Sequence, residues 1–382
     1  MFNKKVSVLT TIISCVLVGV LTAVCCYFAM PYNKLSRKVN EVTNIINNNF
    51  DGEINEEIID KAVFNALVAA LNDKYGAYYN VSDATSYLNS YEKESEGLGI
   101  SYLIQENGNI LVVLIHSNSP ADKAGIQLYD EIIGVDSLTI KKDGASKILK
   151  YIEEKSNQEV SLKLLRNKKE ILNTVKLGVF EKQTVFYEKI DNIGYIKITH
   201  FDKSTINAFK LAINNLKAQN VNGFLFDVRN NTGGTVNAVC DVLDVLLPEC
   251  DLISVKYKND KTRVLRRSDN KCETLPMAVL TNSRTASASE LFATAIREIN
   301  KGKIIGEKTF GKGKIQTIFT ISDGSVLKIT VGKFYGPLGN NWDETGIEPD
   351  INVKLTEEQN KNYYLLTTKN DPVIIKGVES LK

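Results

Sequence analysis

Two histidines, His116 and His200, are all that 382 residues contain. The scarcity bears on chemistry, because a Ser–His–Asp hydrolase needs one as its general base. His116 falls in a β-rich stretch and His200 where a strand gives way to a loop; each reads as a surface or core residue. Cysteine is also sparse. Of six, Cys15, Cys25 and Cys26 lie in one apolar run, and Cys240, Cys250 and Cys272 are odd in number without CxxC spacing. That pattern excludes a disulfide framework and a zinc-binding arrangement. No His/Asp/Glu cluster has ligand spacing, so neither metal nor cofactor is expected. Net charge is the third shortage. Lys plus Arg number 47 against 45 for Asp plus Glu, and Lys4 and Lys5, the only charges in the first 30 residues, account for the difference. A neutral body offers nucleic acid no electrostatic footprint.

The N-terminus holds a long uncharged run, Val6 to Met30, 25 residues behind Lys4 and Lys5. About 20 apolar residues cover a bilayer core, whereas a signal-peptide core takes roughly 7–15. Tyr27 sits three before a cut after Ala29, so no small-x-small cleavage site follows. The run reads as an uncleaved signal-anchor transmembrane helix over residues 1–30, with a cleaved signal as the alternative. Cys25 follows Val24, a residue larger than a lipidation site places there. Lys34, Arg37 and Lys38 come soon after the run and leave the positive-inside count undecided; the short N-terminal tail favours a body outside the cytoplasm.

Residues 31–91 begin as a polar, Asn-rich linker. From Ile58 to Leu71 apolar residues recur at helical spacing, a helix that Asp73-Lys74-Tyr75-Gly76 stops. Such a helix packs on a neighbour or a second subunit, so a homo-oligomer stays open. Residues 92–180 alternate short strands with turns: Gly99–Ile104, Ile110–Ile115, Glu131–Val135, Val160–Leu165 and Ile171–Lys176, with short helices at Pro120–Ala124 and Gly144–Glu154. From 181 to 355 strands alternate with long helices: strand Ile193–Ile198, helix 204–219, strand Gly223–Val228, helix 236–247, strand Met277–Thr281, helix 287–300. That alternation predicts a layered α/β domain. Residues 356–382 form a C-terminal segment.

Within the β unit, Gly97-Leu98-Gly99-Ile100 precedes the first strand, and Ser119-Pro120-Ala121-Asp122-Lys123-Ala124-Gly125-Ile126 leads into Asp130-Glu131-Ile132-Ile133-Gly134-Val135. The unit resembles the PDZ domains of bacterial proteases. The first segment matches their carboxylate-binding loop, where a Gly-rich turn aims backbone N–H groups into a concavity. The strand after it then pairs with an extended peptide. Gly97, Leu98, Gly99 and Ile100 are the peptide-binding candidates, and Arg166, at the end of a strand, is a candidate contact with the next domain.

Three later segments carry chemistry: Asp227-Val228-Arg229-Asn230-Asn231-Thr232-Gly233-Gly234, Ala286-Ser287-Ala288-Ser289-Glu290, and Gly306-Glu307-Lys308-Thr309-Phe310-Gly311-Lys312-Gly313-Lys314-Ile315-Gln316. With Gly346-Ile347-Glu348-Pro349-Asp350 and the upstream PDZ-like unit, they resemble the signature segments of carboxyl-terminal processing peptidases over roughly residues 40–355. The resemblance implies an α/β multidomain chain with a PDZ domain inserted before a layered protease core. By the same resemblance Ser287 is the nucleophile, Lys312 the general base and Gln316 the residue that positions the lysine. Gly233, Gly234 and Ala288 supply oxyanion N–H groups. Ser283 and Ser289 compete with Ser287 on sequence alone. A lysine serves as base only when neutral, so its pKa of about 10.4 must fall through burial. Asp227, Arg229 and Glu290 read as ion-pair or structural partners. Thr232 stands where the family commonly has proline, and Arg284 where a small residue is usual.

The implied protein is a serine endopeptidase that grips the free C-terminal tail of protein or peptide substrates, anchored by one pass in a bacterial cell membrane. The competing readings are a proteolytically silent PDZ scaffold and a hydratase-like ligand binder, and intact Ser287, Lys312 and Gln316 argue against both.

Overall fold

The computed structural model describes residues 8–29, 34–89, 94–155, 157–258, 260–300 and 302–382. It divides into two units, residues 1–62 and 63–382. The first carries helices α1 (Val8–Ala29), α2 (Lys34–Asn49) and the start of α3 (Glu56–Ala69). The side chains of residues 12–22 are exposed. Among the described residues no helix is long and apolar enough to cross a membrane. The expected anchor, Val6 to Met30, extends outside the described residues, and those described do not support it.

In the second unit a short strand, β1 (Ala77–Tyr79), and helix α4 (Val81–Asn89) come before the PDZ-like unit. That unit runs β2 (Glu94–Gly97), β3 (Ile100–Ile104), β4 (Ile110–Ile115), α5 (Pro120–Lys123), β5 (Glu131–Val135), β6 (Leu138–Thr139), α6 (Ile140–Asp143), α7 (Ala145–Glu154), β7 (Glu159–Arg166), β8 (Lys169–Lys176) and β9 (Gly178–Glu181). Its main sheet has the order β3-β4-β5-β7-β8, which leaves β3 at an edge. Alternating burial along β7, with Val160, Leu162 and Leu164 inward, matches a sheet with one face on a core. Ile148 and Ile152 of α7 close that core.

The larger domain follows: β10 (Val185–Ile190), β11 (Ile193–Ile198), α8 (Thr205–Ala218), β12 (Gly223–Asp227), α9 (Val236–Leu246), β13 (Asp251–Tyr257), β14 (Thr262–Arg267), β15 (Met277–Thr281), α10 (Ala288–Ala295), β16 (Lys303–Gly306), β17 (Lys314–Thr320), β18 (Val326–Tyr335), β19 (Ile351–Asn352), α11 (Glu357–Lys361) and α12 (Pro372–Glu379). One sheet runs β10-β11-β12-β15-β16-β19, parallel from β11 onward. All five residues of β12 are buried, as expected of a parallel strand covered on both faces. Phe224 and Phe226 pack toward α8, α9 and α10, with the Phe226 ring edge-on to Phe292 at 5.4 Å. Leu225 faces the opposite layer with Leu280, Ile305 and Val373 of α12. Each such side chain contributes about 1.5–3 kcal/mol of transfer free energy.

The alternating α/β pattern was readable, but a second sheet was not. Strand β18 pairs with β17 and also with β13 and β1, and β14 extends β13. The helix expected over 287–300 also ends sooner: α10 stops at Ala295 and Ile296–Asn300 winds as a wider π-helical turn.

Candidate active site

Strands β12 and β15 are adjacent and parallel, so the loops leaving their C-terminal ends lie side by side, where α/β sheets hold their ligands. The loop after β12 carries Gly233 and Gly234; the loop after β15 carries Ser287. Side chains lace the two together. Thr285 Oγ1 donates to Val228 O at 2.9 Å, Asn230 N to Asn282 Oδ1 at 2.9 Å, and Ala286 N to Asn231 O at 3.0 Å. Ser287, the residue before α10, sits at φ 58°, ψ −117°. A non-glycine residue held there is strained and persists only where its surroundings impose it. Glu290 imposes it here, accepting the Ser287 N–H on Oε2 at 2.8 Å.

Glu290 is fully buried and takes three further donors: Thr309 Oγ1 at 2.5 Å and Gly311 N at 2.7 Å on Oε1, and Lys312 N at 2.9 Å on Oε2. One carboxylate therefore fixes the backbones of both Ser287 and Lys312. Burial lifts its pKa above the ordinary value, and the four donors restrain the rise. The sequence reading took Glu290 as structural; the structure makes it the joint between the two candidate catalytic loops.

Ser287, Lys312, Gln316, Gly234 and Ala288 all line one cavity of about 260 Å³, walled on its apolar side by Val239, Ile253, Leu291 and Phe334. Of the competing serines, Ser283 is exposed and Ser289 is fully buried, and neither lines it. Burial, then the Lys328 ammonium, push the Lys312 amine below its ordinary pKa, while Glu290 and Asp73 pull weakly the other way. Among the described residues Lys312 Nζ makes no hydrogen bond or ion pair; it lies 4.6 Å from the centroid of the Tyr75 ring. Gln316 shares the cavity without bonding to the lysine. Its cross-strand partner in the β17–β18 register is Thr330, and Nε2 donates to Thr330 Oγ1 at 3.2 Å and to Lys314 O at 3.3 Å.

The two glycines separate. Gly233 N donates to Asn231 Oδ1 at 2.9 Å and is committed there. Gly234 N and Ala288 N donate no hydrogen bond among the described residues, and both residues line the cavity. Gly234 has φ 146°, and a Cβ on it would come within 2.0 Å of Phe201 O, so no other residue fits.

Asp227 and Arg229 lie apart from this cavity in a buried network. Arg229 Nη2 pairs with Asp227 Oδ2 at 2.6 Å and Nη1 with Asp371 Oδ2 at 2.9 Å, while Tyr195 Oη donates to Asp227 Oδ2 at 2.7 Å. The pair ties β12 to the start of α12, in keeping with a structural role. His116 is buried in the PDZ-like unit, where Nδ1 accepts the Gln183 N–H at 3.1 Å; neither it nor His200 lines the cavity. Among the described residues no group of three or more His, Cys, Asp or Glu is placed to hold a metal ion.

At the PDZ-like unit, Leu98 O accepts Ala121 N–H at 2.8 Å and Gly99 O accepts His116 N–H at 3.0 Å. A Cβ on Gly99 (φ 77°) would meet Ser119 Cβ at 2.2 Å, which fixes glycine in this turn. Leu98 N and Gly99 N donate no hydrogen bond among the described residues. Gly97 closes β2 and Ile100 opens β3, whose outer edge is unpaired among the described residues. Arg166 departs from expectation. It grips Asp130 inside its own unit, Nε to Oδ1 and Nη2 to Oδ2, both at 2.7 Å, and Nη2 also reaches Gly125 O at 3.0 Å. A buried carboxylate at the neighbouring turn captured it, and among the described residues it makes no hydrogen bond or ion pair with the protease core. Sequence reasoning also missed Asp73, Tyr75 and Lys328 at the site, because Asp73-Lys74-Tyr75-Gly76 carried only a helix-stop signal.

An α/β core with a serine on a strained strand-to-helix turn, sharing a cavity with a half-buried lysine and with two N–H groups that are unbonded among the described residues, has the parts of a serine hydrolase. Residues 192–353 match the profile of peptidase family S41 and residues 97–177 that of the PDZ domain. Carboxy-terminal processing protease CtpA of Bacillus subtilis is 30% identical over 325 residues, covering 84% of this chain and 69% of that protein. Carboxy-terminal processing protease CtpB of the same organism is 31% identical over 330 residues, covering 84% and 68%. Among solved structures, a putative S41 protease from Bacteroides fragilis superposes with a TM-score of 0.59 at 18% identity, over 84% of this chain and 89% of that one. The photosystem II D1 C-terminal processing protease gives 0.52 at 24% identity, over 80% and 84%. These two structures share the fold. The chain belongs to the carboxy-terminal processing serine proteases of peptidase family S41.

Proposed function

We propose that the chain is an endopeptidase that cuts protein substrates through a Ser287–Lys312 pair after its PDZ domain has taken hold of their free C-terminal tail. The observation that carries the reading is a single cavity shared by a strained serine, a lysine whose amine burial holds below its ordinary pKa, and two unbonded N–H groups. Neutral Lys312 takes the Ser287 hydroxyl proton as Oγ attacks the scissile carbonyl. The N–H groups of Gly234 and Ala288 stabilise the oxyanion, and the start of α10 adds its dipole. The lysine then gives its proton to the leaving amine. Water hydrolyses the acyl-enzyme with Lys312 again as base. For that transfer Nζ must come within hydrogen-bond reach of Oγ, about 2.6–3.2 Å, a bond it does not make among the described residues while it lies over the Tyr75 ring. Gln316 Oε1, which accepts no hydrogen bond among the described residues, is available to hold it there.

The recognition half of the reading rests on the free N–H groups of Leu98 and Gly99 beside the open edge of β3. Amidating a substrate's C-terminus removes a charge and an acceptor oxygen. A charge-assisted hydrogen bond contributes about 1.5–3 kcal/mol, so cleavage efficiency is expected to fall roughly ten- to a hundredfold. Equal cleavage of free-acid and amidated peptides refutes tail recognition.

The uncharged run Val6–Met30 supports single-pass attachment to a bacterial cell membrane with the catalytic body outside. Full-length protein is expected to sediment with membranes and stay there in high salt, since hydrophobic insertion is insensitive to ionic strength. Release by salt alone contradicts this. The exposed apolar residues of α3, among them Ile58, Val63 and Leu67, suit a homo-oligomeric contact.

A further inference from the structure

The turn that ends α3 has a second role. Resting on the Ser287–Lys312 reading, we propose that Tyr75 is a positioning residue for the general base. Its ring parks the Lys312 ammonium in the resting enzyme and sets the pH at which the lysine becomes active.

Tyr75 is held as a site residue is held. Asp73, two residues before it, accepts Thr330 N at 2.7 Å and Thr330 Oγ1 at 2.8 Å from β18, and its Oδ1 also accepts the Tyr75 N–H at 3.1 Å. Two residues after it, Ala77 pairs with Lys328 of the same strand. The backbone that carries the ring is thus pinned on both sides to β18, the strand whose Thr330 also holds Gln316. Burial opposes ionisation of Asp73, yet its three donors hold the carboxyl below the ordinary range. The clamp therefore stays charged across neutral pH.

The contact itself is a cation over an aromatic face, with Nζ 4.6 Å from the ring centroid. Such contacts are attractive within about 6 Å through the ring quadrupole. The charged and titratable groups facing Lys312 are Lys328 from β18, Glu290 from α10, and Asp73 and Tyr75 from the turn. Lys314, on the same cavity wall, is paired with Asp343 at 3.3 Å and Glu344 at 3.2 Å. Burial, then Asp343, push the Tyr75 hydroxyl up, so the ring stays neutral in the working range. Its effect is that of the π face, and the hydroxyl is dispensable.

The sign follows. The ring favours the charged amine, so it raises the Lys312 pKa against the burial and the Lys328 charge that lower it. Removing the ring lets that pKa fall further. On the acid side of the lysine pKa, kcat/KM drops tenfold per pH unit as the base form is lost. Tyr75→Leu is therefore expected to move that acid limb to lower pH by about half to one and a half units. Tyr75→Phe is expected to leave it in place. A lost structural contact alone lowers the plateau and leaves the limb where it was.

The experiment measures kcat/KM against pH for the full chain, with Tyr75→Phe, Tyr75→Leu, and phenylalanines carrying one to three ring fluorines at position 75. Fluorine empties the π face at nearly constant shape, so this series reports even if Tyr75→Leu fails to fold. A limb that moves stepwise to lower pH with fluorination supports the proposal. A limb that stays fixed, rises, or moves as far in Tyr75→Phe as in Tyr75→Leu overturns it. Lys312→Ala run alongside separates the two layers. Activity surviving there removes the base assignment itself, whereas an inactive Lys312→Ala with an unmoved limb in the ring series removes only the role of Tyr75.

Discussion

Alanine at Ser287 or at Lys312 is expected to reduce peptide cleavage to background, a loss on the order of 10⁴-fold or more, while leaving the fold intact. Nucleophile and base act as one unit, so either loss removes nearly the whole rate, and the double variant is expected to be no worse than the worse single one. Neither truncation disturbs packing. Ser287 is half-buried on a loop, and Lys312 Nζ makes no hydrogen bond or ion pair among the described residues. Steady-state cleavage of an unfolded protein, with circular dichroism of each variant beside it, checks the outcome. Activity within tenfold of wild type in Lys312→Ala contradicts a lysine base.

The second large effect is expected at Glu290. Its carboxylate accepts the N–H groups of Ser287, Gly311 and Lys312 and the Thr309 hydroxyl. Glu290→Ala leaves all four donors without their acceptor in a buried site, and stripping one partner from such an arrangement costs about 3–5 kcal/mol. Stability is expected to fall by that amount. The catalytic loss has a different origin. Ser287 is held in a strained conformation against Glu290, and without the carboxylate it relaxes and the serine hydroxyl shifts. A displacement of about 1 Å costs on the order of a hundredfold in rate. Glu290→Gln separates the effects: its amide nearly preserves shape but turns one acceptor into a donor facing other donors. It is expected to lose about a hundredfold in kcat with a smaller drop in melting temperature. Unchanged kcat in both variants contradicts a joint between the two loops.

Much of this was legible because it rests on short-range signals. Alternating and periodic apolar residues located the strands of the PDZ-like unit, and the buried runs Gly223–Asp227 and Met277–Thr281 located the two strands that carry the site. What was lost depends on long-range pairing. The half-exposed strands Thr262–Arg267 and Lys314–Thr320 lack a clean apolar alternation, so the second sheet, held by β18, gave no local cue. The site behaved the same way. Ser287 and Lys312 were found through segments that match a family, whereas Tyr75 reaches the lysine from some 240 positions upstream through a pairing of β1 with β18. Gly233 shows the limit at finer scale. A Gly-Gly pair signals a special turn, but which N–H stays free was decided by the Asn231 side chain that captured one of them.

The central claim is that Lys312 activates Ser287 for attack on a carbonyl. A fluorophosphonate probe forms a stable adduct only with an activated serine, and fragmentation mass spectrometry locates the adduct within the tryptic peptides spanning residues 272–284 and 285–297. The account predicts one adduct, on Ser287, whose rate of formation rises with pH through the lysine pKa and which Lys312→Ala does not form. An adduct on Ser283 or Ser289, or labelling of Ser287 at the same rate in Lys312→Ala, contradicts it.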